Sequence, residues 1–226
     1  MSDRHSTLRT QRRVQTQRAI QAHAVRLFTE RGYDATTVTD VAEAAGVSPM
    51  TVYRHFPTKE DLVLVDQNGR LVAERIVASA GTRPLVRRIG RALADSAAAL
   101  TGDGGDDPTA GRGFLLARLR LMISTPALRA RHLDNHYALQ QAIVDALGDE
   151  AADPEAAFRA KVAAGACLAA LHTALVRWAE EDGRTELPGV ITKALAAAFG
   201  DDMADPSGDA GTPDTGRGPS GDTGRR

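Results

Sequence analysis

The 27 residues from Thr36 to Leu62, TTVTDVAEAAGVSPMTVYRHFPTKEDL, contain three helix starts, and no other part of the chain restricts the fold so tightly. Each start carries a capping signature. Thr37 with Asp40 three residues later makes a capping box, Ser48 precedes a proline at the first helical position, and Thr58 with Asp61 repeats the box. The first helix must stop at Gly46, which can take the left-handed backbone of a tight turn, and the second begins two residues later. Two short helices joined by a three- or four-residue turn with Gly make a helix-turn-helix. Val38, Val41, Ala42, Val47, Val52 and Phe56 are its apolar positions. Ala24, Leu27 and Phe28, at helical spacing upstream, are the side chains they would pack against.

Outside that stretch helical spacing continues, with Leu62, Val65, Leu71, Val72 and Ile76 as one series, and no run alternates as a strand would. Breaks at Gly32, Gly46, Pro57, 81–84, 102–113, Pro126, 148–154, 183–188 and Gly200 divide the chain into about nine helices, short before Pro57 and mostly longer after it. The expected architecture is all-α: an N-terminal three-helix head carrying the helix-turn-helix, then a larger helical bundle. We expect a basic flexible arm at 1–14, the head at 15–57, the bundle at 58–200 and a disordered tail at 201–226, with a helix starting at Thr58 bridging head and bundle. Met203 is the only large apolar side chain of the tail, too little to offset its ordering entropy. Residues 101–112, TGDGGDDPTAGR, read as a loop.

Charge and cysteine content bound the partners. The 28 basic and 29 acidic side chains leave a net charge of -1, so total charge selects nothing, whereas residues 1–31 carry Arg4, Arg9, Arg12, Arg13, Arg18, Arg26 and Arg31 against Asp3 and Glu30. A basic extension beside a helix-turn-helix suits phosphate contacts or the minor groove. One cysteine, Cys167, excludes an intramolecular disulfide and a thiol cluster for zinc, and a reducing cytoplasm is the expected compartment. No apolar core of a signal peptide follows the basic N-terminus. The most apolar stretch, Val162 to Val176, is shorter than the roughly 20 residues that cross a bilayer, so no membrane partner is expected.

The second helix of the motif presents Pro49, Met50, Thr51, Tyr53, Arg54 and His55, after Ser48 at its cap: hydroxyls and an imidazole for phosphate oxygens, small apolar groups for thymine methyls. Here the sequence resembles the TetR family of bacterial repressors, through Gly46-Val47, Thr51-Val52-Tyr53-Arg54-His55-Phe56 and Lys59; the resemblance is motif-specific from about Arg18 to Leu62. It implies that Thr37, Thr51, Tyr53, His55 and Lys59 contact phosphates and that Thr39, Met50 and Tyr53 lie near bases. It also implies a homodimer on palindromic double-stranded operator DNA, with the last two helices pairing across the dimer. A small effector, hydrophobic or amphipathic, would then be held in the bundle.

Ligand candidates are the larger or polar side chains on otherwise apolar helices: Phe114, Arg118, Met122, Tyr137, Gln140, Cys167, Leu171, His172 and Trp178. His132 and His136 stand four apart, a spacing that lets two imidazoles share a metal. No second ligand cluster is evident and Arg129 and Arg131 would repel a cation, so neither a metal nor a cofactor is expected. The competing reading is a helical small-molecule-binding protein or an enzyme that does not act on DNA. No motif supplies a nucleophile, base and oxyanion hole, so no catalytic residue is assigned.

Overall fold

A computed structural model describes residues 2–64, 68–79, 83–102 and 111–200, without side chains for 2–10 and 68–71. Ten α-helices and one 3-10 turn make up the described residues: α1 Ser2–Arg31, α2 Val38–Ala44, α3 Pro49–His55, α4 Asp61–Leu64, α5 Asn68–Ala78, α6 Leu85–Thr101, α7 Arg112–Ser124, α8 Pro126–Leu147, the turn Gly148–Ala151, α9 Pro154–Glu180 and α10 Leu187–Phe199. No strand occurs among them. The expected tail at 201–226, most of the loop at 101–112, Val65 and the side chain of Leu71 lie outside what the structure describes.

Two expectations about the ends of elements need correction. The break between a flexible arm at 1–14 and a helix from residue 15 is absent: α1 is continuous over 30 residues and is the longest helix, not a short one. Arg4, Arg9, Gln11, Arg12, Arg13 and Gln15 in its first half are good helix formers, and no Gly or Pro interrupts it before Gly32, where φ is +91°. The length argument against a membrane span also fails, because α9 runs for 27 residues and is long and apolar enough to cross one. It packs against α6, α7, α8 and α10, and Ala160, Ala164, Cys167, Leu168 and Trp178 are buried there.

The caps form as their residues dictate. The Thr37 hydroxyl accepts the Asp40 amide at 3.1 Å while Asp40 Oδ2 accepts the Thr37 amide at 2.7 Å. Ser48 Oγ accepts the Thr51 amide at 3.2 Å, and Thr58 and Asp61 exchange the same pair of bonds at 3.3 and 3.0 Å. Gly46, at φ +65°, lets the Val47 amide reach back to the carbonyl of Ala42 at 3.0 Å and so closes α2.

Apolar burial divides into two clusters. The first holds Ile20, Ala24, Leu27 and Phe28 of α1 with Val41, Ala42, Val52 and Phe56, as the spacing predicts. It also takes in Leu62 and Val63 of α4, Leu121 of α7 and Leu128 of α8, so the head does not close at residue 57. Leu62, expected on the bundle side of a bridging helix, is part of the head. The second cluster fills the bundle between α5 and α10 around Ile76, Ile89, Met122, Ile143, Leu168 and Trp178. The Trp178 indole donates to the carbonyl of Thr185 at 2.8 Å, and Gly183, at φ +65°, passes so close to the ring that a Cβ there would stand 3.0 Å from it.

Candidate functional site

The helix-turn-helix leaves one face uncovered. On α3, Met50 is 69% and Tyr53 49% exposed, and Pro49 and Arg54 are exposed with them; Ser48, Thr37 and Thr39 border them, all exposed. Thr51 is half-buried, its hydroxyl 2.9 Å from that of Ser48. Large apolar side chains normally retreat from water, so Met50 and Tyr53 at the front of a short helix mark a contact surface. His55 is half-buried beneath this face. Burial, then the charges of Arg13 on α1 and Arg54 beside it, hold its pKa below the ordinary histidine value. Arg13, assigned in the sequence only to a general basic arm, is thus an electrostatic neighbour of the recognition helix; the signal for it was the continuous helix.

Lys59 is placed differently from a free phosphate ligand. Its ammonium donates to the carbonyl of Tyr33 at 2.6 Å and lies 4.2 Å from the Tyr33 ring centroid and 5.6 Å from that of Phe28. The Tyr33 hydroxyl in turn donates to Glu60 at 2.8 Å. Lys59 therefore ties the segment before α4 to the end of α1, with two of its three N–H donors unused by that bond.

A cavity of about 180 Å³ opens between α5, α6, α7, α8 and α9. Leucines supply most of its wall, among them Leu93, Leu115, Leu119, Leu171 and Leu175. Of the expected ligand residues, Arg118, Met122 and Leu171 line it. Phe114, Tyr137, Gln140, Cys167, His172 and Trp178 do not. Phe114 packs against the head cluster, with the Arg118 guanidinium 5.8 Å from its ring centroid. Tyr137 is 72% exposed, Gln140 donates to the Lys161 carbonyl at 2.7 Å, and Cys167 is buried, its thiol pushed up to about 12 by burial. Trp178 is fully buried in the core. A wider groove of about 640 Å³ beside α6 is lined by Arg75, Arg83, Arg87, Arg88 and Arg91 and lacks such an apolar wall.

Two polar groups of the cavity wall reach out of it to the same element. Arg118 Nε donates to the carbonyl of Val63 at 2.6 Å and Asn135 Nδ2 to that of Leu64 at 3.1 Å, both in α4. Burial lowers the Arg118 pKa to about 10, which leaves it cationic at neutral pH, and no carboxylate partner is recorded for it among the described residues. Asn135 was missed in the sequence, where it is one polar residue among many on α8.

His132 and His136, also on the wall, meet His172 from α9. His132 Nε2 lies 3.2 Å from His172 Nδ1, and one ring nitrogen from each of the three lies within 4.8 Å of the others. Burial, and then the two neighbouring imidazoles, push His132 down to about 4, and burial lowers His136 as well. The arginines expected to repel a cation are engaged elsewhere: Arg131 with Asp61 at 3.0 Å, Arg129 with the carbonyl of Ile123 at 2.7 Å.

Comparison with known proteins finds two family models on separate stretches of the chain. Residues 20–65 match the family described as bacterial regulatory proteins, tetR family, and residues 108–199 match the MftR C-terminal domain. The transcriptional regulator TcmR of Streptomyces glaucescens is 33% identical over 128 residues, 56% of each chain. The repressor KstR2 of Rhodococcus jostii is 52% identical over 40 residues, 18% of this chain and 20% of that one. The chain thus spans little more than half the length of the first of these relatives and a fifth of the second. In fold it is similar to a TetR-family regulator from Streptomyces coelicolor, with a TM-score of 0.52 at 23% identity over 82% of this chain and 93% of that one.

Proposed function

The chain belongs to the tetR family of bacterial regulatory proteins, and from that premise we propose that it is a transcriptional repressor, released from a palindromic operator by a small, largely apolar effector in the leucine-lined cavity. The observation that carries the reading is the pair of hydrogen bonds from Arg118 and Asn135 to the carbonyls of α4. These residues line the cavity, while Leu62 and Val63 of α4 sit in the core of the head. A molecule that displaces either side chain moves an element that packs against α1 in the core of the head.

On the DNA side, Met50, Tyr53 and Thr39 lie near bases, while Thr37, Thr51, Tyr53, His55 and Lys59 fix the register on phosphates, with Ser48, Pro49 and Arg54 completing the face. A dimer places two such faces ~34–36 Å apart, one turn of the duplex. Its interface is formed by α9 and α10, where Phe158 and Val162, one helical turn apart, are 61% and 54% exposed. The effector is compact. A dry cavity of roughly 150 Å³ accepts a benzene-sized molecule, so one of about 180 Å³ takes a small apolar body, with Arg118 to meet an anionic group. The protein works by binding and not by turnover.

The test is selection of genomic DNA by the purified protein, followed by titration of a candidate effector with and without saturating operator. Specific binding that falls steeply with salt, and an effector that weakens it by the factor by which operator weakens effector binding, typically 5–150-fold, are expected. Binding with no sequence preference, or an effector bound tightly without change in operator affinity, would overturn the reading.

A further inference from the structure

We propose that His132, His136 and His172 form a binding site for a divalent transition-metal ion, with zinc the first candidate. The argument starts from geometry. Tetrahedral zinc with Zn–N bonds of ~2.0–2.1 Å holds its nitrogens about 3.3 Å apart. His132 Nε2 and His172 Nδ1 are 3.2 Å apart, and a nitrogen of His136 falls within 4.8 Å of both. Zinc binding therefore requires the His136 donor to close from within 4.8 Å to that same spacing.

The scaffold favours such a set. His132 and His136 are one helical turn apart on α8, and α9, packed against it, supplies His172 from across the interface. Three imidazoles gathered between two packed helices cost stability when charged, and when neutral the recorded geometry gives them one shared hydrogen bond, between His132 and His172 at 3.2 Å. A metal ion takes all three lone pairs at once. Imidazole donors suit zinc, copper, nickel and iron rather than magnesium or calcium. Of the arginines nearby, Arg131 pairs with Asp61 and Arg129 donates to the Ile123 carbonyl, while Arg118, on the same cavity wall, donates its Nε to the Val63 carbonyl. Three protein ligands leave a fourth position, as in zinc sites that exchange a ligand. His132 and His136 line the leucine-walled cavity, so that position falls to water or to a donor group of a molecule held there.

The experiment needs no DNA and no effector, so its outcome is separate from that of the repressor reading. Untagged full-length protein, stripped with a chelator, is titrated with Co²⁺ and with Zn²⁺ against a chromogenic competitor. One ion per chain is expected, Co²⁺ giving the visible bands of tetrahedral nitrogen coordination. The variants His132→Gln and His172→Gln should each lower Zn²⁺ affinity by more than the roughly 10–100-fold that loss of an outer-shell partner costs. His23→Gln, on α1, should leave it unchanged. Ring-nitrogen NMR of the wild-type protein reads the same site without any variant, since three histidine rings should shift on zinc addition. Wild-type protein that takes up no stoichiometric metal, affinity that survives both variants, or shifts confined to other histidines would overturn the proposal.

Discussion

In the head, three helix starts are closed by a side chain three residues away: Thr37 with Asp40, Ser48 with Thr51, Thr58 with Asp61. In the bundle the polar contacts that hold the helices join residues far apart in the chain. Arg88, its side chain 2% exposed, pairs with Glu150 and donates to the Ile76 carbonyl at 3.1 Å; Arg118 reaches back to Val63 and Asn135 to Leu64. The difference teaches that the head is specified by neighbours and the bundle by packing. The two should therefore respond differently to the same kind of damage.

The largest expected effect lies in the bundle. Trp178 is fully buried and its indole hydrogen-bonded, so Trp178→Ala should cost about 3–5 kcal/mol, read as a shift of the denaturant midpoint. A loss below about 1 kcal/mol would mean that the bundle repacks freely and that packing does not specify it.

Next in size is a substitution that crosses the division. Leu128 belongs to α8 yet is fully buried in the head cluster, and Leu128→Ala should cost about 2–5 kcal/mol. Amide exchange should accelerate in α1 and α4 at least as much as in α9. Acceleration confined to the bundle would show instead that the head closes on its own near residue 57, where the break at Pro57 ends its run of short helices.

That substitution marks the limit of what the sequence carries. Caps, the turn at Gly46 and the apolar face of α2 and α3 are written in residues a few positions apart, so the helix-turn-helix and its exposed face were legible. Leu121 and Leu128 could not be assigned to the head, because nothing local distinguishes them from bundle leucines. The cavity suffers the same way. Arg118, Met122 and Leu171 were identifiable as large or polar side chains on apolar helices, while Tyr137 and Gln140 fit that description equally and face away. The histidine triad was half visible, as the i, i+4 pair on α8. Its third member depends on the register of α9 against α8, which no periodicity encodes.

On the recognition face the effect should appear in binding and not in folding. Tyr53 is 49% exposed, so Tyr53→Ala should leave the melting temperature nearly unchanged while lowering operator affinity by about 1–3 kcal/mol, measured by fluorescence anisotropy. An equal loss of stability would make Tyr53 a packing residue and remove it from the face. Ser48→Ala, which deletes the cap of α3, should cost about 1 kcal/mol of stability and weaken operator binding with it.

The smallest effect is one of pH and belongs to the cap of α2. Hydrogen bonds from the Thr37 hydroxyl, at 2.6 Å, and from its amide hold the Asp40 carboxyl below the ordinary aspartate value. The folded pKa is depressed, so the unfolded chain binds the proton more tightly, and stability rises with pH across the interval between the two values. The contribution is present above pH 3.8, the ordinary value, and is lost as pH falls through the lower folded one. Melting curves from pH 5 to pH 2 should therefore show a shallower acid loss for Asp40→Asn than for the wild type. The difference should be small, since solvent reaches the carboxyl and screens it. Identical acid profiles would mean that the box persists whether or not Asp40 is charged, and that the start of α2 rests on the Thr37 hydroxyl and on Val41 and Ala42 packing beneath it.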